Sequence, residues 1–208
     1  MFAPRAGRPL VIVLAILVLL SALVALGVLP HPWYTIAGLV VGTAVWLFLA
    51  TFFRDPERTP GAGVVSAADG RVRAVEREGD RWRISVFMNV TNVHVNRLPV
   101  DARFESIDDA GRGYRPAYRP DAERNVRRAY RLGTAYGPVE VVQITGVVAR
   151  RLVSFVRPGA EGKKGDRFGM IVLGSRVDVV LPAGRLTPAV SVGDRVHAGS
   201  STIAREAT

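Results

Sequence analysis

Cysteine is absent from this 208-residue sequence, and histidine occurs only at positions 31, 94 and 197. Disulfide frameworks, thiolate metal sites and redox pairs are therefore excluded, and no metal is expected, since a centre would have to be built from carboxylates alone. Lysine is nearly missing as well, at Lys163 and Lys164 only. The 18 acidic residues stand against 28 basic ones, so a formal net charge of +10 is carried almost wholly by arginine. An excess of that kind favours an anionic partner, either nucleic acid or an anionic membrane surface.

What the sequence does have is apolar residues, 49% of the total, and their placement decides between those partners. Leu10 to Leu29 carries no charge. At about 1.5 Å per helical residue such a run spans roughly 30 Å, the hydrocarbon thickness of a bilayer. A second uncharged run covers Trp33 to Phe53, and only Pro30-His31-Pro32 lies between. A helix-breaking tripeptide of that length permits only a tight turn between antiparallel spans. The sequence therefore predicts an N-terminal two-helix transmembrane hairpin over residues 1–53, with spans at about 10–29 and 33–53 and His31 as a turn residue. Arg5 and Arg8 precede the first span, Arg54 and Arg58 follow the second, and the turn has no Lys or Arg. The positive-inside rule then places the rest of the chain at the cell membrane on its cytoplasmic side. A cleaved signal peptide would leave the second run unexplained.

From residue 54 to 208 the pattern changes to short alternating runs punctuated by glycine and proline, which predicts a mainly β (α+β) soluble domain. Arg71 to Val75, Trp82 to Phe87, Val139 to Ile144 and Arg176 to Leu181 read as strands. Asp108 to Arg131, polar and arginine-rich with tyrosines at 114, 118 and 130, reads as a long loop or insertion, and Val147 to Val156 as a short helix. An internal repeat marks the last third: Val156-x-x-Gly159-x-x-x-x-x-Gly165 recurs 34 residues later as Val190-x-x-Gly193-x-x-x-x-x-Gly199. Two glycine-flanked hairpins account for it. Their form resembles the hammerhead hairpin of biotinyl and lipoyl carrier domains, but the tip has no lysine, so a carrier role is excluded.

For chemistry the candidates are few. Gly174-Ser175 is on its own a turn-like pair, and it is not part of a G-x-S-x-G elbow. A nucleophilic serine needs a base, and the base an orienting carboxylate. His94 lies in a strand-like segment rich in hydrogen-bonding side chains, Asn92 to Pro99, whereas His197 sits in the second glycine hairpin and reads as solvent-exposed. Asp69, before Gly70, reads on its own as an Asp-Gly turn residue first and an orienting carboxylate second.

Taken together, five blocks in order are similar to the phosphatidylserine decarboxylase proenzymes, in their short branch of roughly 200 residues: Phe52 to Pro60, Ser66 to Val72, Phe87 to Val100, Gln143 to Arg151 and Phe168 to Pro182. The resemblance implies a chain that cuts itself between Gly174 and Ser175 into chains 1–174 and 175–208, which remain associated. It also implies that Ser175 becomes a pyruvoyl group, a cofactor made from the protein without pyridoxal phosphate, which forms a Schiff base with phosphatidylserine and accepts the electron pair released with carbon dioxide, leading to phosphatidylethanolamine. In the family an Asp-His pair assists the serine, and Asp69 and His94 match those positions. Longer relatives carry His-x-x-His before the proline, whereas this sequence has His94-x-x-Arg97-Leu98-Pro99, so His94 is expected to serve alone. Arg176 stands where longer relatives often have serine or threonine, and reads either as a contact to the substrate phosphate or carboxylate or as a cap on a sheet edge.

The expected partners are thus phosphatidylserine and an anionic membrane surface, with the 108–131 insertion against the headgroups, and no nucleic acid. Two other readings are a catalytically inactive, membrane-tethered β-domain acting as a binding module, and the same chemistry on another serine-headgroup lipid.

Overall fold

The computed structural model describes all residues except 1, 4–6, 29–31, 118, 148–150, 173–174 and 208, with backbone alone at 7–9, 32 and 120–121. Arg5, Pro30, His31 and Gly174 therefore lie outside the described residues. The chain divides into two compact units, 1–56 and 57–208.

The first unit holds α1 (Gly7–Ala25) and α2 (Pro32–Phe52). Gly27 adopts φ 68°, and the N–H groups of Gly27 and Val28 donate back to the carbonyls of Val24 and Leu23, at 3.0 Å each. Glycine tolerates that left-handed turn, so α1 is capped at Ala25, inside the uncharged run. The helices pair in opposite directions. Trp46 Nε1 donates to the Leu10 carbonyl at 3.1 Å, Leu17 lies so close to Gly42 that a Cβ there would meet it at 2.5 Å, and Ala3 N–H donates to the Phe53 carbonyl at 2.8 Å. Trp33–Phe52 is long and apolar enough to cross a membrane, whereas the apolar helix Leu10–Ala25 is shorter.

The second unit is built from β1 (Val64–Val65), β2 (Gly70–Glu78), β3 (Arg81–Met88), β4 (Val95–Arg97), β5 (Ala102–Ala110), β6 (Arg127–Thr134), β7 (Gly137–Thr145), β8 (Arg151–Ser154), β9 (Glu161–Gly162), β10 (Arg167–Val172), β11 (Ser175–Pro182), β12 (Leu186–Pro188), β13 (Arg195–Val196) and β14 (Thr202–Glu206). An antiparallel sheet in the order β13-β2-β3-β11-β7-β6-β5-β9 carries most of them; β4-β10-β8 and β1-β14-β12 form smaller sheets. Period-two alternation sets the faces. Val177, Val179 and Leu181 of β11 turn inward with Ile84 and Val86 of β3 and Val139 and Val141 of β7, and an aromatic cluster of Phe104, Tyr130 and Phe168, with ring centres 4.8–6.3 Å apart, fills one end of the core.

Two local expectations are corrected. Arg151–Ser154 is a strand: Leu152 and Val153 pair with Ile171 and Met170 of β10, and cross-strand pairing overrides a spacing that fits a helix equally well. The 108–131 stretch is a loop only in its middle: β5 runs to Ala110 and β6 begins at Arg127, so both of its ends are strand. The connection left over, 111–126, is pinned by buried Asn125, whose Oδ1 accepts from Arg115 N–H at 2.8 Å while its Nδ2 donates to the carbonyls of Arg115 and Thr145 at 2.8 and 2.7 Å. The internal repeat keeps one geometry in both copies. Each runs turn, two-residue strand, turn, and Gly159, Gly165, Gly193 and Gly199 all take positive φ.

Candidate active site

Ser175 opens β11, a central strand, paired with Met88 on one side and Thr145 on the other. It is fully buried and shares the inward face with Val177 and Val179. Its hydroxyl donates to Met88 Sδ at 3.3 Å, and a thioether is a weak acceptor, so the proton is held loosely.

Around Met88 runs a buried polar chain that the sequence alone did not single out. Asn96 Nδ2 approaches the same sulfur at 3.8 Å and donates to the Ala67 carbonyl at 3.3 Å; Asn96 Oδ1 accepts from Gln143 Nε2 at 2.7 Å, and Gln143 Oε1 accepts from the Tyr130 hydroxyl at 3.1 Å. Burial pushes the Tyr130 phenol above its ordinary value, so it stays a neutral donor. Asn96 and Gln143 do lie in the family-like blocks 87–100 and 143–151, which was the available signal. Its meaning is spatial: β4 and β7 belong to different sheets and meet only in the folded chain.

His94, just before β4, is fully buried. Its Nδ1 lies 2.9 Å from the Asn92 carbonyl oxygen, which only accepts, so in the neutral ring Nδ1 carries the proton and Nε2 the lone pair. Its own carbonyl accepts from Ile171 N–H at 3.2 Å, tying the segment to β10.

Asp69 is also buried, but its partners are Arg58, Ala198 and His197. Arg58 grips both carboxylate oxygens, with Nη2 2.8 Å from Oδ2; Ala198 N–H donates to Oδ1 at 2.8 Å, and His197 Nδ1 is 3.5 Å from Oδ2. Burial pushes the Asp69 carboxyl up, but the Arg58 and Ala198 hydrogen bonds and the Arg58 charge outweigh it and hold the group below the usual carboxylate value. The structure thus joins Asp69 to Arg58 and to exposed His197, and none of its hydrogen bonds or ion pairs goes to His94 or Ser175. Arg58, counted in the sequence only as a charge beside a membrane span, is the principal partner.

Arg176 projects from the opposite face of β11. Its Nη2 lies 2.9 Å from Asp178 Oδ2 and 3.7 Å from Glu123 Oε1, and Arg83 Nη1 reaches the same Asp178 oxygen at 3.3 Å. It sits in a central strand, so it caps no sheet edge, and a buried carboxylate already meets its charge. Among the described residues no three His, Asp or Glu side chains come together as a metal site.

A family model described as phosphatidylserine decarboxylase matches residues 45–204. The chain is 46% identical over 160 residues to the phosphatidylserine decarboxylase proenzyme of Thermobifida fusca, covering 76% of this chain and 73% of the relative. It is 45% identical over 162 residues to a protein of Methanococcoides burtonii provisionally named archaetidylserine decarboxylase proenzyme, covering 76% of each, and 46% identical over 170 residues to one of the same provisional name in Halobacterium salinarum, covering 80% of this chain and 85% of the relative. The chain belongs to the phosphatidylserine decarboxylase family, and so to the decarboxylating enzymes.

Proposed function

We propose that the chain is a self-cleaving, pyruvoyl-dependent decarboxylase that converts phosphatidylserine to phosphatidylethanolamine and carbon dioxide. The observation that carries this reading is the placement of Ser175, buried at the head of a central strand with its hydroxyl held only by a thioether. In self-cleavage the serine oxygen adds to the Gly174 carbonyl carbon and the C–N bond breaks, exchanging amide for ester. Loss of the Cα proton then breaks the Cβ–O bond and frees the Gly174 carboxylate, and hydrolysis with loss of ammonia leaves a pyruvoyl group on residue 175. That group supplies a carbonyl to condense with the substrate amine and to draw off the electron pair left by carbon dioxide.

The residues around Ser175 fit such a group. After a cut before residue 175 the small chain still holds β11 between β3 and β7, β13 on β2 and β14 on β1, so the two chains stay associated through the sheets. Asp69 acts as a positioning residue, since its carboxylate ties Arg58 of the large chain to Ala198 N–H of the small one. The two repeat copies read as hammerhead-like hairpins, and His197 and Ala198 belong to the second.

His94 is assigned as the base for the serine hydroxyl, through Nε2. His197 is the second reading, favoured by its approach to Asp69. Cell-free synthesis of the full chain followed by gel analysis separates them. His94→Gln is expected to slow cleavage by about a hundredfold or more and His197→Gln by under about threefold; the reverse order would assign the base to His197.

The archaeal relatives' names make archaetidylserine a second substrate reading, with the same serine headgroup. Residues 1–53 are proposed as a two-span membrane hairpin, because Val11, Ile12, Val40 and Val41 are apolar and more than half exposed, with the β-domain on the cytoplasmic side because the arginines flank the spans and not the turn. The cysteine-free chain allows a direct test. A membrane-impermeant thiol reagent should label Gly184→Cys, in the exposed turn after β11, in broken but not in intact cells. Labelling in intact cells would reverse the orientation, and release of the protein by alkaline carbonate would refute the spans.

A further inference from the structure

We infer that the arginines on the outer face of β2 and β13 form a binding site for a phosphodiester, occupied by the headgroup phosphate of the serine lipid. The inference rests on the decarboxylase reading for the identity of the lipid, but not for the site itself.

The register lays out one row across the large sheet: Arg195 opposite Arg71, Arg71 opposite Phe87, and Phe87 opposite Arg176. Arg176 is neutralised by Asp178, as are Arg58 by Asp69 and Arg128 by Asp109. Arg71, Arg73 and Arg195 are exposed and, among the described residues, have no carboxylate partner. Like charges placed directly opposite on antiparallel strands destabilise the pair, so Arg71 facing Arg195 is a local cost that a bound anion would remove. Arg71 and Arg73 are also held in place. Arg71 Nη1 donates to the Gly193 carbonyl at 3.0 Å, and the Arg73 guanidinium lies 5.3 Å from the centre of the Phe87 ring.

These three arginines line a cleft of about 380 Å³ together with Asn89, Asn92 and His197. Guanidinium groups suit phosphate oxygens through paired N–H donors, and the amides and imidazole add further donors at the rim. The walls of this cleft belong to the elements that hold the site. Phe87 precedes Met88, the partner of Ser175; the Asn92 carbonyl fixes His94; and His197 reaches Asp69. A phosphodiester bound here lies on the outer face at the end of the sheet where β11 begins, one residue along β3 from the Met88–Ser175 pair.

The test uses the full chain in detergent, with Arg71→Ala and Arg195→Glu, and with exposed Arg205→Ala on β14 as the control. Glycerophosphoserine, which has the phosphodiester but no tails, is titrated by calorimetry beside inorganic phosphate, and kinetics are run on phosphatidylserine in mixed micelles. Both site variants should weaken glycerophosphoserine binding and raise KM by about tenfold, with kcat and chain cleavage unchanged and the control like the parent. Arg195→Glu should in addition raise Tm, because an ion pair with Arg71 replaces repulsion, an effect a bland basic surface would not couple to weaker binding. Unchanged affinity and KM would overturn the site. Inorganic phosphate binding as tightly as glycerophosphoserine would overturn the lipid assignment in favour of free phosphate. Equal loss of binding to phosphatidylglycerol vesicles would overturn it in favour of a general membrane face. Arginine-dependent glycerophosphoserine binding in a parent chain that releases no carbon dioxide would support the site and sink the decarboxylase reading instead.

Discussion

Replacing Ser175 by alanine is expected to leave a single, uncut 208-residue chain with decarboxylase activity reduced by at least about a thousandfold. The substitution removes one hydroxyl from a fully buried site where its hydrogen bond goes to the Met88 sulfur. Such a bond contributes under about 1 kcal/mol, and alanine leaves no polar group unsatisfied, so the thermal midpoint should stay close to that of the parent. That separation makes the variant informative: the β11 ladder to β3 and β7 remains intact, and only the nucleophile and the source of the cofactor are lost. Denaturing gels and carbon dioxide release measure both effects. Cleavage in the alanine variant would contradict the mechanism outright.

Asp69→Ala should have the largest effect on stability. It strands the Arg58 guanidinium, mostly buried, and leaves the buried Ala198 N–H without its acceptor. Breaking one side of a buried pair costs about 3–5 kcal/mol. The double variant Arg58→Met/Asp69→Leu should recover much of that, because both charges are then gone. The same carboxylate predicts a pH dependence. Its folded-state pKa is held below the unfolded value, so its contribution is fully present above the unfolded carboxylate pKa of about 3.9 and is lost as pH falls through the folded one. Glu57, Glu78, Asp101 and Asp109 are shifted the same way, so the difference between parent and Asp69→Asn isolates the Asp69 share of the acid limb. A parallel decline in both proteins would contradict the assignment.

Much of this was legible in the residues. Period-two alternation located β2, β3, β7 and β11, and the Gly159/Gly165 and Gly193/Gly199 spacing located two segments of equal path, because both signals are local and set by backbone geometry. Leu152 misled, since apolar residues spaced three and four apart also fit a strand buried against β10. α1 is shorter than the uncharged run that contains it because Gly27 ends it where composition gives no punctuation. At the site, Ser175, His94 and Asp69 are all buried. The Asp69 partners Arg58 and Ala198 lie 11 and 129 positions away, the polar chain from Tyr130 to Asn96 joins separate sheets, and neither is encoded in any short window.

The central claim is that this chain makes its own cofactor at residue 175, and intact-mass spectrometry of the purified, denatured protein tests it most directly. The account predicts two chains, 1–174 and 175–208, with the smaller one lighter by one ammonia than a peptide beginning with serine. A single uncut chain recovered from an active preparation would contradict it. A single uncut chain without activity would leave the β-domain as a membrane-tethered binding module.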